Sequence, residues 1–478
     1  MRQRLKEAPG GPPTREVGHG QGGRPKDLYF FILRPSLFSF LLLLLAACAI
    51  APVAPTPVPT ETAPQPMPGA LFVNAANSIG PISPFVFGTN YGPWTFLNPG
   101  ARPKAKEAGL TLMRYPGGNW GDLNDLMEYQ LDEAVALAKE LGAEPVICVR
   151  LAHGSVDNAV NLLKYANQTK KYNIKYWSIG NEPSLFATGG ASIDGYETVR
   201  FNQEWRQFAE ALRAVDPAIK LVGPDTHQFT ANFASNPKDL NGKDWLEEFL
   251  KANGDLVDIV AVHRYPFPKD MQNLIPTKDE LLASTEEWDQ IIPALRKLIK
   301  DTTGQDKPIG IMEVNSNWAN VSGGEASPET FYNALWWGDV LGRLIKQRVE
   351  LVAQFVLSTA PGSGELGLFA RDEPRLIYYV YPMYRRFGTQ LVESSTDQAL
   401  VSIYAALRAD GALTLMVINR SDLEQTRPVQ LHGFTPHGAA EVYRLDESHN
   451  AEKIESQQIH DGAKITLPPY SMTLYVLP

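Results

Sequence analysis

From about residue 85 onward, short apolar runs rich in β-branched residues alternate with longer stretches in which apolar positions recur every three or four residues. The first pattern marks strands buried on both faces, the second amphipathic helices, and their alternation marks parallel βα units. Eight runs read as strands: 85–91, 111–116, 144–151, 176–181, 220–224, 257–265, 309–315 and 351–358. Helical spacing is clear in 126–141, where Leu131, Ala134, Val135, Ala138 and Leu141 fall on one side. Eight strands with interposed helices predict an α/β fold, a closed (β/α)8 barrel over 69–388 rather than an open doubly wound sheet. No Gly-x-Gly-x-x-Gly follows the first strand, which weakens a dinucleotide-binding reading. Beyond Gly388 the period shortens to two, as in 413–418, 440–445 and 472–476, and predicts a C-terminal antiparallel β-sandwich domain over 389–478.

The N-terminal region follows a different pattern. An apolar run over 37–47 comes after Arg24, Lys26 and Arg34, and is too short to span a bilayer but suits the core of a signal peptide. It ends in Leu45-Ala46-Ala47-Cys48, which resembles a bacterial lipobox, so 1–48 reads as a signal peptide whose Cys48 is lipidated. Residues 49–68 are rich in Pro and Thr and read as an extended tether. The expected location is outside the cytoplasm, lipid-anchored to the cell membrane or secreted, with that lipid as the sole membrane contact. The only other cysteine, Cys148, lies in an apolar strand and reads as a buried free thiol.

Composition narrows the function. The 478 residues are 44% hydrophobic, enough for a large core, and the net charge of -9 argues against nucleic acid as a partner. Barrel enzymes carry their chemistry at the C-terminal ends of the strands. Here the second strand ends in Arg114-Tyr115-Pro116-Gly117-Gly118-Asn119, the fourth in Asn181-Glu182-Pro183, the sixth in His263-Arg264-Tyr265 and the seventh in Glu313. Two carboxylates facing across a barrel mouth suit glycoside hydrolysis, in which one protonates the leaving oxygen and the other attacks the anomeric carbon. A solute-binding lipoprotein would need two lobes and no such pair. A metal-dependent amidohydrolase would place His-x-His after the first strand, which instead reads Thr89-Asn90-Tyr91. No metal or other cofactor is expected.

Trp177-Ser178-Ile179-Gly180-Asn181-Glu182-Pro183 and Ile311-Met312-Glu313-Val314 resemble the acid/base and nucleophile motifs of clan A retaining glycoside hydrolases. Arg114 to Asn119, His263 to Tyr265 and Gln354 are similar to features of family 51 α-L-arabinofuranosidases, and the β-rich tail also fits families 39, 30 and 44. The resemblance implies Glu182 as acid/base, Glu313 as nucleophile and a carbohydrate substrate of the hemicellulose or β-glucan class. The alternative is a catalytically inactive glycan-binding lipoprotein. Arg114, Asn119, Asn181, His263, Tyr265, Trp318 and Gln354 are the candidate substrate-binding residues; among them Arg114 is also the expected partner of the Glu313 charge, Tyr265 is expected to hold Glu313 in register, and His263 to contact either the sugar or Glu182, with Tyr91, Trp94, Trp120 and Phe186 as further stacking candidates. One departure stands out. Family 51 carries an acidic residue after the first strand that helps hold the sugar, where this chain has Asn90. A raised pKa is expected for Glu182 beside a charged Glu313, while Asp225 and His227 read as loop groups without a role.

Overall fold

The computed structural model describes residues 64–478 apart from 320, 361, 363 and 364. Cys48 and most of the Pro/Thr-rich tether lie outside the described residues. Eight strands close a parallel barrel: β2 (Gly88–Asn90), β3 (Leu112–Tyr115), β4 (Glu144–Val149), β5 (Tyr176–Ile179), β6 (Lys220–Thr226), β7 (Ile259–Arg264), β8 (Ile309–Val314) and β9 (Leu351–Gln354). Thr89 closes the ring, pairing with Met113 on one side and Gln354 on the other. All eight coincide with the runs read from the sequence, most trimmed at their ends where the chain turns into loops. The first is cut hardest, because Pro84–Val86 winds into a 3-10 turn.

The pleat of these strands builds the site. Leu112, Val146, Tyr176, Val222, Ile259, Ala261, Met312, Leu351 and Ala353 form one apolar cluster filling the barrel. Side chains of a strand alternate between faces, so the residues two positions on from Leu112, Val146, Tyr176 and Ala261 point the same way. These are Arg114, Cys148, Ser178 and His263, a polar layer directly above an apolar one. Register shifts between Pro224 and Thr226 on β6 and between Ile311 and Val314 on β8 disturb the alternation around Asp225 and Glu313. Bulges re-aim side chains in this way at the rims of barrels.

The C-terminal strands form a nine-stranded sheet curled around its own core, which includes Val392, Ile403, Leu415, Val417, Leu431 and Tyr475. The ninth strand is β1 (Leu71–Pro81), which lies inside the stretch assigned by sequence to the barrel. It pairs antiparallel with Gln390–Ser395 and parallel with Gln425–His432. The other face of the sheet, with Met416, Ile418, Met472 and Leu474, joins the barrel's outer core. It packs on the helix Phe331–Lys346, which is buried from Asn333 to Ile345. At Gly338 of that helix a Cβ would lie 2.7 Å from the sulfur of Met472, so any larger residue there would force the Met472 side chain to shift. The contact carries a buried charge cluster: Asp339 accepts from Arg343 (3.0 Å) and Tyr404 (2.7 Å) and lies 3.3 Å from Arg420. Among the described residues no helix is long and apolar enough to cross a membrane.

Candidate active site

Glu313 ends β8 and is 4% exposed, so its charge needs partners. Its Oε1 accepts from Arg114 (2.7 Å) and from the backbone N–H of Gly118 (2.6 Å), and its Oε2 accepts from the Tyr265 hydroxyl (3.0 Å). Gly118 presents that N–H from a left-handed turn at φ 62° that disfavours any side chain. Arg114, fully buried, also donates to Asn90 (3.1 Å), Asn181 (2.9 Å) and Asp225 (3.1 Å). Burial works against its charge, but Asp225 and Glu313 outweigh burial and raise its pKa above the already high arginine value.

Glu182 follows β5 in the left-handed region (φ 46°), its N–H tied to the Asp225 carbonyl at 3.0 Å. Its Oε1 lies 2.9 Å from Nδ1 of the fully buried His263. An oxygen of Glu182, an oxygen of Glu313 and a ring nitrogen of His263 all fall within 4.8 Å of one another. Such spacing would also suit a cation. Both oxygens of Glu313 are already taken by donors, however, and that donor set fits a bare carboxylate rather than a metal ligand.

The expected rise in the Glu182 pKa is not what the geometry gives. Burial pushes it up, but the hydrogen bond and charge of His263 prevail and hold it below the usual carboxylate value. Reciprocally, burial would lower His263, whereas Glu313 and Glu182 raise it above an ordinary histidine. The two residues act as one proton-holding pair.

Most of the residues proposed to bind sugar stand behind the glutamates instead. Arg114, His263 and Tyr265 are buried and bond Glu313 or Glu182, and the buried Asn181 bonds Arg114 and Asn119. Gln354 is fully buried too, donating to the Leu366 carbonyl at 3.0 Å, which makes it a loop support with no contact to a ligand. Asn119 remains at the mouth, accepting from Asn181 at 3.1 Å, and Trp318 is 48% exposed on the loop after β8. Phe186 is buried against Tyr196, while Trp94 is 39% exposed and stacks on Phe355, whose ring meets the edge of Tyr265. Hollows of about 620 and 520 Å³ open on either side of the 94–96 loop. Cys148 is a buried free thiol, as expected, with its pKa pushed up by burial to about 12.

Sequence reading passed over four contributors. Asp225, dismissed as a loop group, is fully buried and takes Arg114 and the Ser178 hydroxyl (2.6 Å) on one oxygen. Asp122, lifted well above the normal aspartate range by burial, receives the Asn181 N–H at 2.9 Å. The Gly118 N–H is a backbone group with no signature of its own. Asn90, noted only as a departure, sends its amide to the carbonyls of Met312 and Ala353 and its oxygen to Arg114, so it knits the barrel rather than facing a sugar.

With this geometry in place, the likenesses to known proteins bear on the fold. Over 85% of the chain the fold superposes on 99% of the α-L-arabinofuranosidase from Thermotoga maritima in its arabinose complex, with a TM-score of 0.68 at 19% identity. The chain has the clan A glycoside hydrolase fold. In sequence the chain is 24% identical over 413 residues to intracellular exo-α-(1→5)-L-arabinofuranosidase 1 of Bacillus subtilis, covering 71% of this chain and 79% of that one. It is 23% identical over 361 residues to heparanase of Bos taurus, covering 68% of this chain and 62% of the relative's length. Residues 399–474 match the model of the D-apionate lactonase C-terminal immunoglobulin-like domain, in agreement with the sheet-rich tail.

Proposed function

We propose that the protein is a retaining glycoside hydrolase that cleaves O-glycosyl bonds by double displacement. The observation that carries this is the pair Glu182 and Glu313, with carboxylate oxygens within 4.8 Å across the barrel mouth. A separation near 5 Å suits attack by one carboxylate on the sugar, whereas inverting enzymes hold the two further apart to admit water. In the first step the Glu182–His263 pair gives a proton through Glu182 to the glycosidic oxygen while Glu313 attacks the anomeric carbon. In the second, Glu182 takes a proton from water, the water attacks the same carbon, and Glu313 is released. Arg114, Gly118 and Tyr265 hold both oxygens of Glu313 and keep it aimed. The exposed rings of Trp94 and Trp318 are the sugar-stacking candidates. Hemicellulose or β-glucan oligosaccharides are the proposed substrates, and the interior role of Asn90 favours a sugar other than arabinofuranose.

Hydrolysis of aryl arabinofuranoside, xyloside, glucoside and glucuronide, and of soluble xylans and β-glucans, tests this with Glu182→Ala and Glu313→Ala. Both variants lose activity, and azide restores it as a glycosyl azide whose anomer reports which carboxylate was removed. A wild type that binds a glycan yet cleaves none of the panel overturns the reading. Lipid attachment at Cys48 is part of the proposal, and fatty-acid labelling abolished by Cys48→Ser is the expected result.

A further inference from the structure

Two buried polar atoms in the site lack a partner, and they face each other. Oδ1 of Asp225 and Nε2 of His263 are both without a hydrogen bond, 3.8 Å apart. A buried unsatisfied group is costly, and two opposite ones at this distance need a shift of about one ångström to satisfy both. Asp225 is held for such a contact. Ser178 and Arg114 grip its other oxygen, its carbonyl receives the Glu182 N–H, and its own backbone sits in the left-handed region at φ 56°. Residues kept in sparsely populated conformations cluster at functional sites. His263 then connects the far side of this arrangement to Glu182 through Nδ1 at 2.9 Å.

We propose that Asp225 is a positioning residue of the proposed glycosidase: its free oxygen is the partner of His263 Nε2, and through His263 it keeps a proton available to Glu182. The charges that face His263 allow this. Glu182 from the end of β5, Asp225 from β6 and Glu313 from β8 surround the ring, with His227 beyond and its own protonation disfavoured by burial. Arg114 balances one of the two carboxylates it touches, Asp225 or Glu313, and an imidazolium at His263 balances the other. Asp122, near Glu182, and Tyr265, on Glu313, complete the set, and burial lifts both above their usual values. The proton that Glu182 gives to the leaving oxygen is the one it shares with His263 Nδ1, so the ring is left neutral with its remaining proton on Nε2, facing Asp225. When Glu182 next takes a proton from water, the proton shared between Glu182 and His263 Nδ1 is restored.

The inference rests on the glycosidase reading, so its test has one arm that needs activity and one that does not. Asp225→Asn keeps the size and removes the charge. Losing an anion makes the Glu182–His263 pair give up its proton more easily, so the alkaline limb of kcat/KM moves to lower pH by about one unit. The rate on a substrate with a poor leaving group falls roughly tenfold or more, while a 2,4-dinitrophenyl glycoside, which needs no proton, is spared in its glycosylation step. Equal losses on both substrates with an unmoved limb show a purely structural residue and overturn the proposal. The second arm is the imidazole of His263 followed by NMR in the wild-type protein, with or without a cleavable substrate. A doubly protonated ring persisting above the ordinary histidine pKa of about 6.5, with an Nε2 proton in slow exchange, is expected. A neutral ring with bare Nε2 through that range overturns the proposal, even where Asp225→Asn fails to fold.

Discussion

Arg114 is the residue on which the site's geometry depends most, and replacing it by methionine isolates that dependence. The side chain is fully buried, makes four hydrogen bonds and touches two carboxylates, Asp225 and Glu313. Methionine fills much the same volume without charge or donors, so Arg114→Met leaves the buried Asp225 and Glu313 without the guanidinium they share. Breaking a buried ion pair by removing one partner costs about 3–5 kcal/mol. The two pairs share one guanidinium, so their costs do not add independently. Set against a net stability of about 5–15 kcal/mol, the loss is large yet compatible with a folded protein. Each kcal/mol moves the melting temperature of a large domain by roughly 2–4 °C, so a fall of roughly 10 °C is expected. Since Arg114 is shielded from any ligand, the catalytic loss falls on kcat rather than KM. Arg114→Lys keeps the charge but not the planar fork, and comes out between the two proteins in both measurements. Thermal melts with steady-state kinetics on the preferred aryl glycoside check this. A methionine variant that melts within about 2 °C of wild type, or one that loses affinity at unchanged kcat, refutes the reasoning.

Tyr265→Phe deletes one hydrogen bond to the Glu313 carboxylate (3.0 Å), and bonds to charged groups contribute about 1.5–3 kcal/mol. The expected loss in kcat/KM is therefore roughly ten- to hundredfold, with the melting temperature falling by roughly 3–12 °C, measured by kinetics and thermal melts side by side. Asp339, between the barrel and the sheet, is opposed by burial but held well below the usual aspartate range by Arg420 and Arg343. A carboxylate with a depressed folded pKa stabilises fully above its unfolded value and loses that contribution as pH falls through the window beneath it. Wild type is thus more stable than Asp339→Asn at neutral pH, and melts recorded down to about pH 3 show the gap narrowing below about pH 4.

The eight barrel strands were readable because parallel strands buried on both faces are uniformly apolar and end abruptly at polar loops. Glu182 and Glu313 were readable because both sit at such ends. The strand Leu71–Pro81 was not, since its register shifts near Asn74, Ser78 and Gly80 erase the period of two that would have marked it. Asp225 was set aside because Gly-Pro-Asp-Thr has the composition of a turn, and nothing local tells that a bulge turns its carboxylate toward Arg114. The contacts of Arg114 and Tyr265 with Glu313 and of His263 with Glu182 were legible from their shared strand ends; that the same side chains are too deep to touch a sugar was not. Depth is set by strands far apart in sequence. For the same reason the pKa direction of Glu182 could not be inferred from Glu313 alone, because His263 lies 81 residues away in the chain.

The placement of β1 has a topological result. Pro81 pairs with Gln390, so the barrel begins and ends at neighbouring positions in the sheet, like a loop of some three hundred residues leaving and rejoining the same seam. Tension applied along the chain from its N-terminal side is carried first by the hydrogen bonds of Leu71–Pro81 to its two neighbours, in shear, before any strand of the barrel feels it. The sheet thus acts as a clasp, with the pairing of Leu71–Pro81 standing between the chain ahead of residue 71 and the barrel.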